Sequence, residues 1–246
     1  MCGRFAFYSS HEAVVRLFGL AYDVTPGIEP QYNIAPTTFI PLVREMTSDV
    51  AVTRRLAMMY WGLVPYWAKD KTIGARMINA RADTLKEKPA FRHAFLRRRG
   101  LVPADGYFEW MKVGAREKQP YFIQPASGAP FALAAIWETW LDPATGDPLE
   151  SCALITTDAG RSVAHIHDRM PVIIPAAAFG EWLDPRNRHV ETLERFFAAE
   201  AAGERVVTPV SSRVSNARNQ GPECIEPVAL EQPGLPFDPP VSEGQR

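Results

Sequence analysis

The chain has 246 residues, 46% of them hydrophobic, which is enough to build one large domain or two small ones around a packed core. Its formal net charge is −1, which excludes a histone-like or polybasic nucleic-acid binder and leaves any such contact to a local cluster of arginines. No window approaches the roughly 20 apolar residues of a membrane span, and the first residues lack a cationic signal-peptide start, so we expect no membrane association and a cytoplasmic location.

The first helical segment runs from Ser10 to Leu20. Ser9 or Ser10 can cap it, and apolar residues such as Val14 and Phe18 recur at helical spacing, so this helix should pack on a sheet. The same reasoning predicts further helices at Pro89 to Arg98, Ala176 to Trp182 and Val190 to Ala202.

Short apolar runs separated by Pro, Ser and Asp begin at Tyr32 and predict strands. They are interspersed with the helices without a sustained βαβ rhythm. The fold class should therefore be α+β, with a mainly antiparallel sheet that forms a barrel-like core and helices at the periphery. The predicted strands are Phe39 to Val43, Ala57 to Trp61, Gly106 to Met111, Tyr121 to Gln124, Phe131 to Trp140, Cys152 to Thr157, Pro171 to Ile174 and Arg205 to Pro209.

We predict a single domain over residues 1–230, since no internal repeat or linker divides it. Residues 231–246 are rich in Pro, Gly and charge and offer little to bury, which is typical of a mobile C-terminal tail.

Three cysteines, Cys2, Cys152 and Cys224, are an odd count with wide spacing and no C-x-x-C pair. This pattern fits neither a disulfide framework nor a zinc site, so we expect a reducing compartment and neither a metal nor a cofactor.

Cys2 carries a possible reaction at the chain terminus. Removal of Met1 would expose a 1,2-aminothiol, whose α-amine has a pKa of about 7.7 to 8.0 and is far more often neutral at cellular pH than a lysine. Such an amine can form a Schiff base with an aldehyde, and the thiol can then close a five-membered thiazolidine ring. Taken alone, a cysteine at position 2 is usually an ordinary residue in a frayed terminus. Met-Cys-Gly also opens many N-terminal-nucleophile glutamine amidotransferases.

Six further motif blocks distinguish these alternatives. With them, the chain resembles the SOS-response-associated peptidase family, the abasic-site-processing proteins, up to about Leu230, and it lacks the Arg-Gly-Pro-Asp type block of an amidotransferase. The blocks, in order, are Met1 to Phe5, Tyr32 to Pro36, Trp61 to Pro65 with Trp67, Asn79 to Asp83, Gly106 to Trp110, His167 to Pro171 and Asn219 to Glu223.

The resemblance implies that Cys2 becomes the N-terminus and crosslinks to an abasic site in single-stranded DNA, with Asn79, Glu109 and His167 as the other catalytic residues. An abasic sugar is mostly a closed hemiacetal, so proton donors and acceptors are needed to open it. Glu109 lies between aromatic residues that should raise its pKa, and we assign it the main proton shuttle. His167 could assist ring opening or Schiff-base reversal, and Asn79 could hold the amine or a sugar hydroxyl.

Arginines and tryptophans of the same blocks are the predicted DNA contacts. Guanidinium groups suit phosphates, and indoles stack on exposed bases. Arg76 and Arg213 are further candidate phosphate contacts, Trp61 is expected in the core, and the Arg97 to Arg99 run is interpreted as a solvated helix end and not as a site. The predicted DNA-binding residues are Arg4, Trp67, Arg81, Trp110 and Arg169.

Two other functions stay open on the sequence: a thiol autopeptidase that removes its own leading residue, and a non-catalytic binder of single-stranded DNA. The expected partner in every case but the autopeptidase is single-stranded DNA, containing abasic sites for the crosslinker. We further expect a monomer, components of the replication fork as additional partners, and association with the bacterial nucleoid during DNA damage.

Overall fold

The computed structural model describes residues 2–21, 28–47, 52–198 and 203–230. The predicted tail at 231–246 lies outside these residues. The strands in the described residues are β1 Phe5–Phe7, β2 Gln31–Ile34, β3 Phe39–Thr47, β4 Val52–Trp61, β5 Asn79–Arg81, β6 Arg99–Ala104, β7 Gly106–Lys112, β8 Lys118–Pro125, β9 Phe131–Leu141, β10 Pro148–Asp158, β11 Arg169–Pro171, β12 Ile173–Ile174 and β13 Arg205–Pro209. The α-helices are α1 His11–Phe18, α2 Arg92–Arg97, α3 Phe179–Leu183 and α4 Val190–Glu194.

The strands form two sheets. The first has the order β13-β8-β7-β1-β2, and the second has the order β11-β10-β4-β3-β6-β9-β12, with β5 paired to β10 beside this path. Most pairings are antiparallel. Among the described strands, the parallel pairings are those of β10 with β4 and with β5. The prediction of an α+β fold with a mainly antiparallel, barrel-like core and peripheral helices is confirmed.

Helix α1 illustrates how the sequence determines a peripheral element. The Ser10 hydroxyl accepts a hydrogen bond from the Ala13 amide at 3.3 Å, and Gly19 ends the helix in the left-handed conformation. Val14 and Phe18 face inward, and the Phe18 ring stacks on Phe179 of α3 at 5.1 Å. Burying these two side chains stabilises the helix on the sheet by about 4 kcal/mol.

Strand β10 organises the second sheet. It pairs with its chain neighbours β9 and β11 and with the more distant β4 and β5, placing Cys152 opposite Trp61, Leu154 opposite Asn79 and Thr157 opposite Met170. The middle of β10 is buried on both faces, which accounts for its continuous apolar run. Three segments of the recognised motif blocks are therefore held in register by a single strand.

The expected solvated helix end at Arg97 to Arg99 is wrong for Arg99. Its side chain is only 2% exposed, and its guanidinium donates to backbone carbonyls of Phe95, Trp182 and Asp184. The helix does end in this run, but Arg99 already begins β6, a buried strand that the sequence analysis did not identify. No helix in the described residues is long and apolar enough to cross a membrane.

Candidate active site

Cys2 lies fully buried immediately before β1. Its Sγ is 3.9 Å from the carbonyl oxygen of Arg4. Burial raises the pKa of the thiol well above its usual range, and the nearby Glu109 carboxylate raises it further. The thiol is therefore protonated at neutral pH.

Asn79 fixes the backbone at Cys2. Its Nδ2 donates a 2.7 Å hydrogen bond to the carbonyl oxygen of Cys2. Asn79 begins β5, whose parallel pairing with β10 places it opposite Leu154. The Asn79 Oδ1 atom is buried and accepts no hydrogen bond from the described residues.

Glu109 lies in the middle of β7, opposite Tyr121 of β8. Its side chain is 3% exposed, between the neighbouring residues Phe108 and Trp110. Burial raises the pKa of Glu109 to about 7, and the negative charge of Asp168 acts in the same direction. Near neutral pH this carboxyl group can therefore both donate and accept a proton.

His167 lies in the loop between β10 and β11, partly buried. Its Nδ1 accepts a hydrogen bond from the Arg169 amide at 3.0 Å. Burial lowers the pKa of His167, whereas the Asp168 carboxylate, 2.8 Å from Nδ1, opposes this shift. The ring is therefore mainly neutral at pH 7.

The four predicted catalytic residues converge. Asn79 contacts Cys2 directly, and the charge of Glu109 acts on the Cys2 thiol. Glu109 in turn responds to the charge of Asp168, the neighbour of His167. A buried thiol and a buried carboxyl group of near-neutral pKa therefore lie near a partly buried amide, and a partly buried imidazole is connected to them through its neighbour Asp168.

Tyr107 belongs to the same region, although the sequence analysis gave it no role. It lies two residues before Glu109 on β7, and side chains at this spacing share a face of a strand. Its ring is fully buried, and its hydroxyl has no hydrogen-bond partner among the described residues. Burial and the neighbouring Cys2 raise the pKa of Tyr107. The alternation along Gly106 to Trp110 was the available signal.

The three predicted DNA-binding arginines differ in exposure. Arg81 is exposed and pairs with Asp83 at 3.0 Å. The Arg169 side chain is 7% exposed, and it donates to Asp158 at 2.5 Å and to the Thr156 carbonyl at 2.7 Å. Arg169 therefore links β11 to β10, and its guanidinium has less capacity for an outside phosphate than that of Arg81.

Arg4 is half-buried and also bonded within the protein. Its Nη1 donates to Asn33 Oδ1 at 2.7 Å and to the Val214 carbonyl at 2.8 Å, and the guanidinium lies 5.9 Å from the centre of the Trp110 ring. Arg213, a further candidate phosphate contact, has its Nη2 atom 3.8 Å from Oε1 of Glu223.

The tryptophans of the motif blocks differ in burial, as the sequence analysis expected. Trp61 is fully buried and donates from Nε1 to the Ile78 carbonyl at 2.9 Å, which confirms its place in the core. Trp67 is 50% exposed and lines a surface groove together with Arg76. Trp110 is partly buried and donates to the Ser215 hydroxyl at 3.1 Å.

Asn33 is a structural residue of the site that the sequence analysis missed. It is fully buried, and its Nδ2 donates to the carbonyls of Val214, Asn216 and Asn219 at 2.8 to 3.1 Å. It thereby attaches the loop after β13 to β2 and to Arg4. Its position inside the block Tyr32 to Pro36 was the available signal.

Comparison with known proteins determines the family. The family model described as SOS response associated peptidase (SRAP) matches residues 1–217. The chain belongs to this family. Its relatives include abasic site processing protein YoqW of Bacillus subtilis, 38% identical over 92% of this chain and 99% of the relative.

Other SRAP relatives extend the comparison. YedK of Escherichia coli, also named an abasic site processing protein, is 36% identical over 93% of this chain and 100% of its own length. HMCES of Gallus gallus is 33% identical over 83% of this chain and 68% of its own. A solved protein structure from Bacteroides thetaiotaomicron superposes with a TM-score of 0.79 at 26% identity, covering 93% of this chain and 100% of that one. The resemblance stated from the motif blocks is therefore confirmed.

Proposed function

We propose that this SRAP protein captures abasic sites in single-stranded DNA by a covalent thiazolidine crosslink through Cys2, once Met1 has been removed. The observation that carries the proposal is the buried Glu109, with its pKa near 7, beside the Cys2 thiol and the Asn79 amide. The names of the relatives, abasic site processing proteins, support the choice of substrate.

The proposed reaction begins at the amine. Glu109 moves a proton between the hydroxyl and the ring oxygen of the abasic sugar, which opens the hemiacetal to an aldehyde. The neutral α-amine of Cys2 adds to the aldehyde carbon, and loss of water gives an imine. Sulfur then adds to the imine carbon, the thiol proton passes to nitrogen, and a five-membered ring closes.

The protonated state of the thiol favours this order over the autopeptidase alternative. Attack on the chain's own peptide bond needs a thiolate, and burial raises the pKa of Cys2. Addition of the amine needs no thiolate, because the thiol acts only after the imine has formed. Removal of Met1 by an aminopeptidase is therefore the simpler route to the free amine.

His167 and Asn79 have supporting roles in the proposal. A neutral imidazole can donate from its N–H to the sugar oxygen or to the departing water. Asn79 holds the carbonyl of Cys2 and thereby orients the reacting terminus.

For the DNA, exposure favours Arg81 as a direct phosphate contact and Trp67 as a stacking platform for a base. Arg4 and Arg169 would act mainly by positioning the chain around Cys2, because each already donates to groups within the protein. Trp110 has an intermediate exposure and could contribute the edge of its ring.

The test uses single-stranded DNA with one abasic site and protein whose Met1 has been removed. Wild type should give a band that survives denaturation. Cys2→Ala should lose it and retain only a Schiff base trapped by borohydride, because the amine remains but the thiol is absent. Glu109→Gln should slow crosslinking at least about tenfold at unchanged DNA affinity.

Glu117→Gln serves as the matched control, because Glu117 is an exposed glutamate in the turn after the same strand. It should crosslink at the wild-type rate. Wild-type protein that binds the DNA without any covalent product would show that the chain is a non-catalytic binder. An unchanged rate in Glu109→Gln would remove Glu109 from the reaction.

A further inference from the structure

A second cleft has a lining separate from the residues around Cys2, although Arg205 in its wall interacts electrostatically with Tyr107. It has a volume of about 260 Å³ and lies between the ends of β8, β9 and β12 and the helices α1 and α3. Most of its described lining is apolar, and none of the proposed catalytic or DNA-binding residues belongs to it. The lining includes Leu17, Phe131, Ile173, Phe179 and Arg205.

Among the described residues that line the cleft, Arg205 is the one with a charged side chain. Its side chain is buried, with 9% of the residue exposed, and its Nε and Nη2 atoms have no hydrogen-bond partner among the described residues. The guanidinium carbon lies 5.9 Å from the centre of the Phe131 ring. Burial lowers the pKa of Arg205, which reflects the loss of its hydration.

The other buried arginines of the described residues, Arg99 and Arg169, make more hydrogen bonds. Arg99 donates to four carbonyls, and Arg169 donates to a carboxylate and a carbonyl, although its Nε also has no partner. A buried charge without such partners is unfavourable. Arg205 therefore stands out among them as the guanidinium with two unpartnered donors, Nε and Nη2, in the wall of a cleft.

We propose that this cleft binds a small carboxylate with an apolar body, its carboxylate on Arg205 and its hydrocarbon portion against Phe131, Ile173 and Phe179. The planar guanidinium presents paired donors that match a carboxylate. The apolar walls favour a hydrocarbon body over a strongly hydrated anion such as sulfate. The volume fits a small molecule and is too small for a folded partner. This proposal does not depend on the crosslinking function.

Sodium octanoate is the probe. Calorimetric titration at constant ionic strength should show saturable binding at a single site. Acetate, which lacks the apolar body, and 1-octanol, which lacks the charge, should each bind at least tenfold more weakly. Absence of saturable octanoate binding would overturn the proposal, and so would octanol binding as tightly as octanoate.

Two variants locate the site. Arg205→Met keeps an unbranched apolar side chain and removes the guanidinium, so octanoate affinity should fall at least tenfold while the unfolding temperature is kept or raised. Arg55→Met, at an exposed arginine of β4, is the control and should bind octanoate like wild type. Equal affinity in Arg205→Met and wild type would refute the role of Arg205.

Ala176→Trp provides a test that leaves Arg205 in place. Ala176 is exposed and lines the cleft, so a large side chain there should fill the cleft without disturbing the core. Octanoate binding should be lost, with acetate-level affinity remaining. If Arg205→Met does not fold, unchanged binding in Ala176→Trp overturns the proposal.

Discussion

At the residue scale, the guanidinium of Arg99 is a hydrogen-bond donor to several backbone carbonyls of the peripheral helical segments. It donates to carbonyls of Phe95, Trp182, Asp184 and Asn187 at 2.5 to 2.9 Å. These acceptors belong to α2, to α3 and to the segment that follows α3. One side chain therefore attaches two peripheral helical segments to β6.

Arg99→Met should lower the free energy of unfolding by about 3 kcal/mol or more, because it leaves several buried carbonyls without donors. Chemical denaturation followed by tryptophan fluorescence measures the change. Arg97→Met, two residues earlier at an exposed position, should change stability by less than about 0.5 kcal/mol. Equal effects in the two variants would contradict this account.

At the scale of elements, the segment between β4 and β5 depends on a close approach of two glycines. Gly62 has a φ of +146°, and a Cβ on it would lie 2.7 Å from the Gly74 oxygen. A Cβ on Gly74 would lie 2.5 Å from the Gly62 oxygen. The segment is anchored on β10, since Gly62 donates to the Cys152 carbonyl and Val64 donates to the Ser151 hydroxyl. This packing sets the position of the Trp67 loop.

Gly74→Ala should therefore destabilise the protein by about 2 kcal/mol, because backbone would have to move to admit the methyl group. Hydrogen exchange should also accelerate at the Leu63 and Met77 amides, which donate within this segment. Gly114→Ala is the control, since its Cβ would meet only ordinary contacts, the nearest at 3.6 Å. Wild-type stability and exchange in Gly74→Ala would contradict the prediction.

Among the elements that the sequence analysis missed are some of the shortest strands. Helix α1 and strand β13 agree with their patterns, whereas β1 and β5 are three residues each, too short for a periodicity to register. The expected strand Pro171 to Ile174 is divided at Val172. This residue donates to Ile155 of β10 and accepts from Ala134 of β9, so the chain crosses from one partner strand to another.

For the site, the motif blocks identified residues that the fold does bring together around Cys2. They did not reveal that Arg4 and Arg169 are bonded within the protein, nor that Asn33 ties a distant loop to β2. Such partners lie far away in the sequence, and local pattern carries no information about them. Roles that depend on tertiary hydrogen bonds required the structure.

For the whole molecule, the buried Glu109 makes folding sensitive to pH. Burial raises its pKa from an ordinary 4.5 to about 7, so the folded state holds this proton more tightly than the unfolded state. The resulting stabilisation is complete below about pH 4.5 and is lost as the pH rises through about 7. Ionisation of one carboxyl group thus opposes the folded structure.

Glu109→Gln should remove this contribution. Between pH 5 and pH 8, the wild-type free energy of unfolding should fall by about 2 to 3 kcal/mol more than that of the variant. Urea unfolding at both pH values measures the difference. Glu117→Gln should follow the wild-type pH dependence, and a Glu109→Gln variant that also follows it would refute the buried-acid interpretation.

The pairing of β10 with β4, β5, β9 and β11 has a consequence for the order of events in a newly made chain. The pairings of β10 with β4 and β5 join strands far apart in sequence and form late, because the long loops between them must close first. Asn79 cannot be held over Cys2 until β10 has been synthesised and has joined β5. During this interval the segment around Cys2 is less enclosed than in the folded protein, where Cys2 is fully buried.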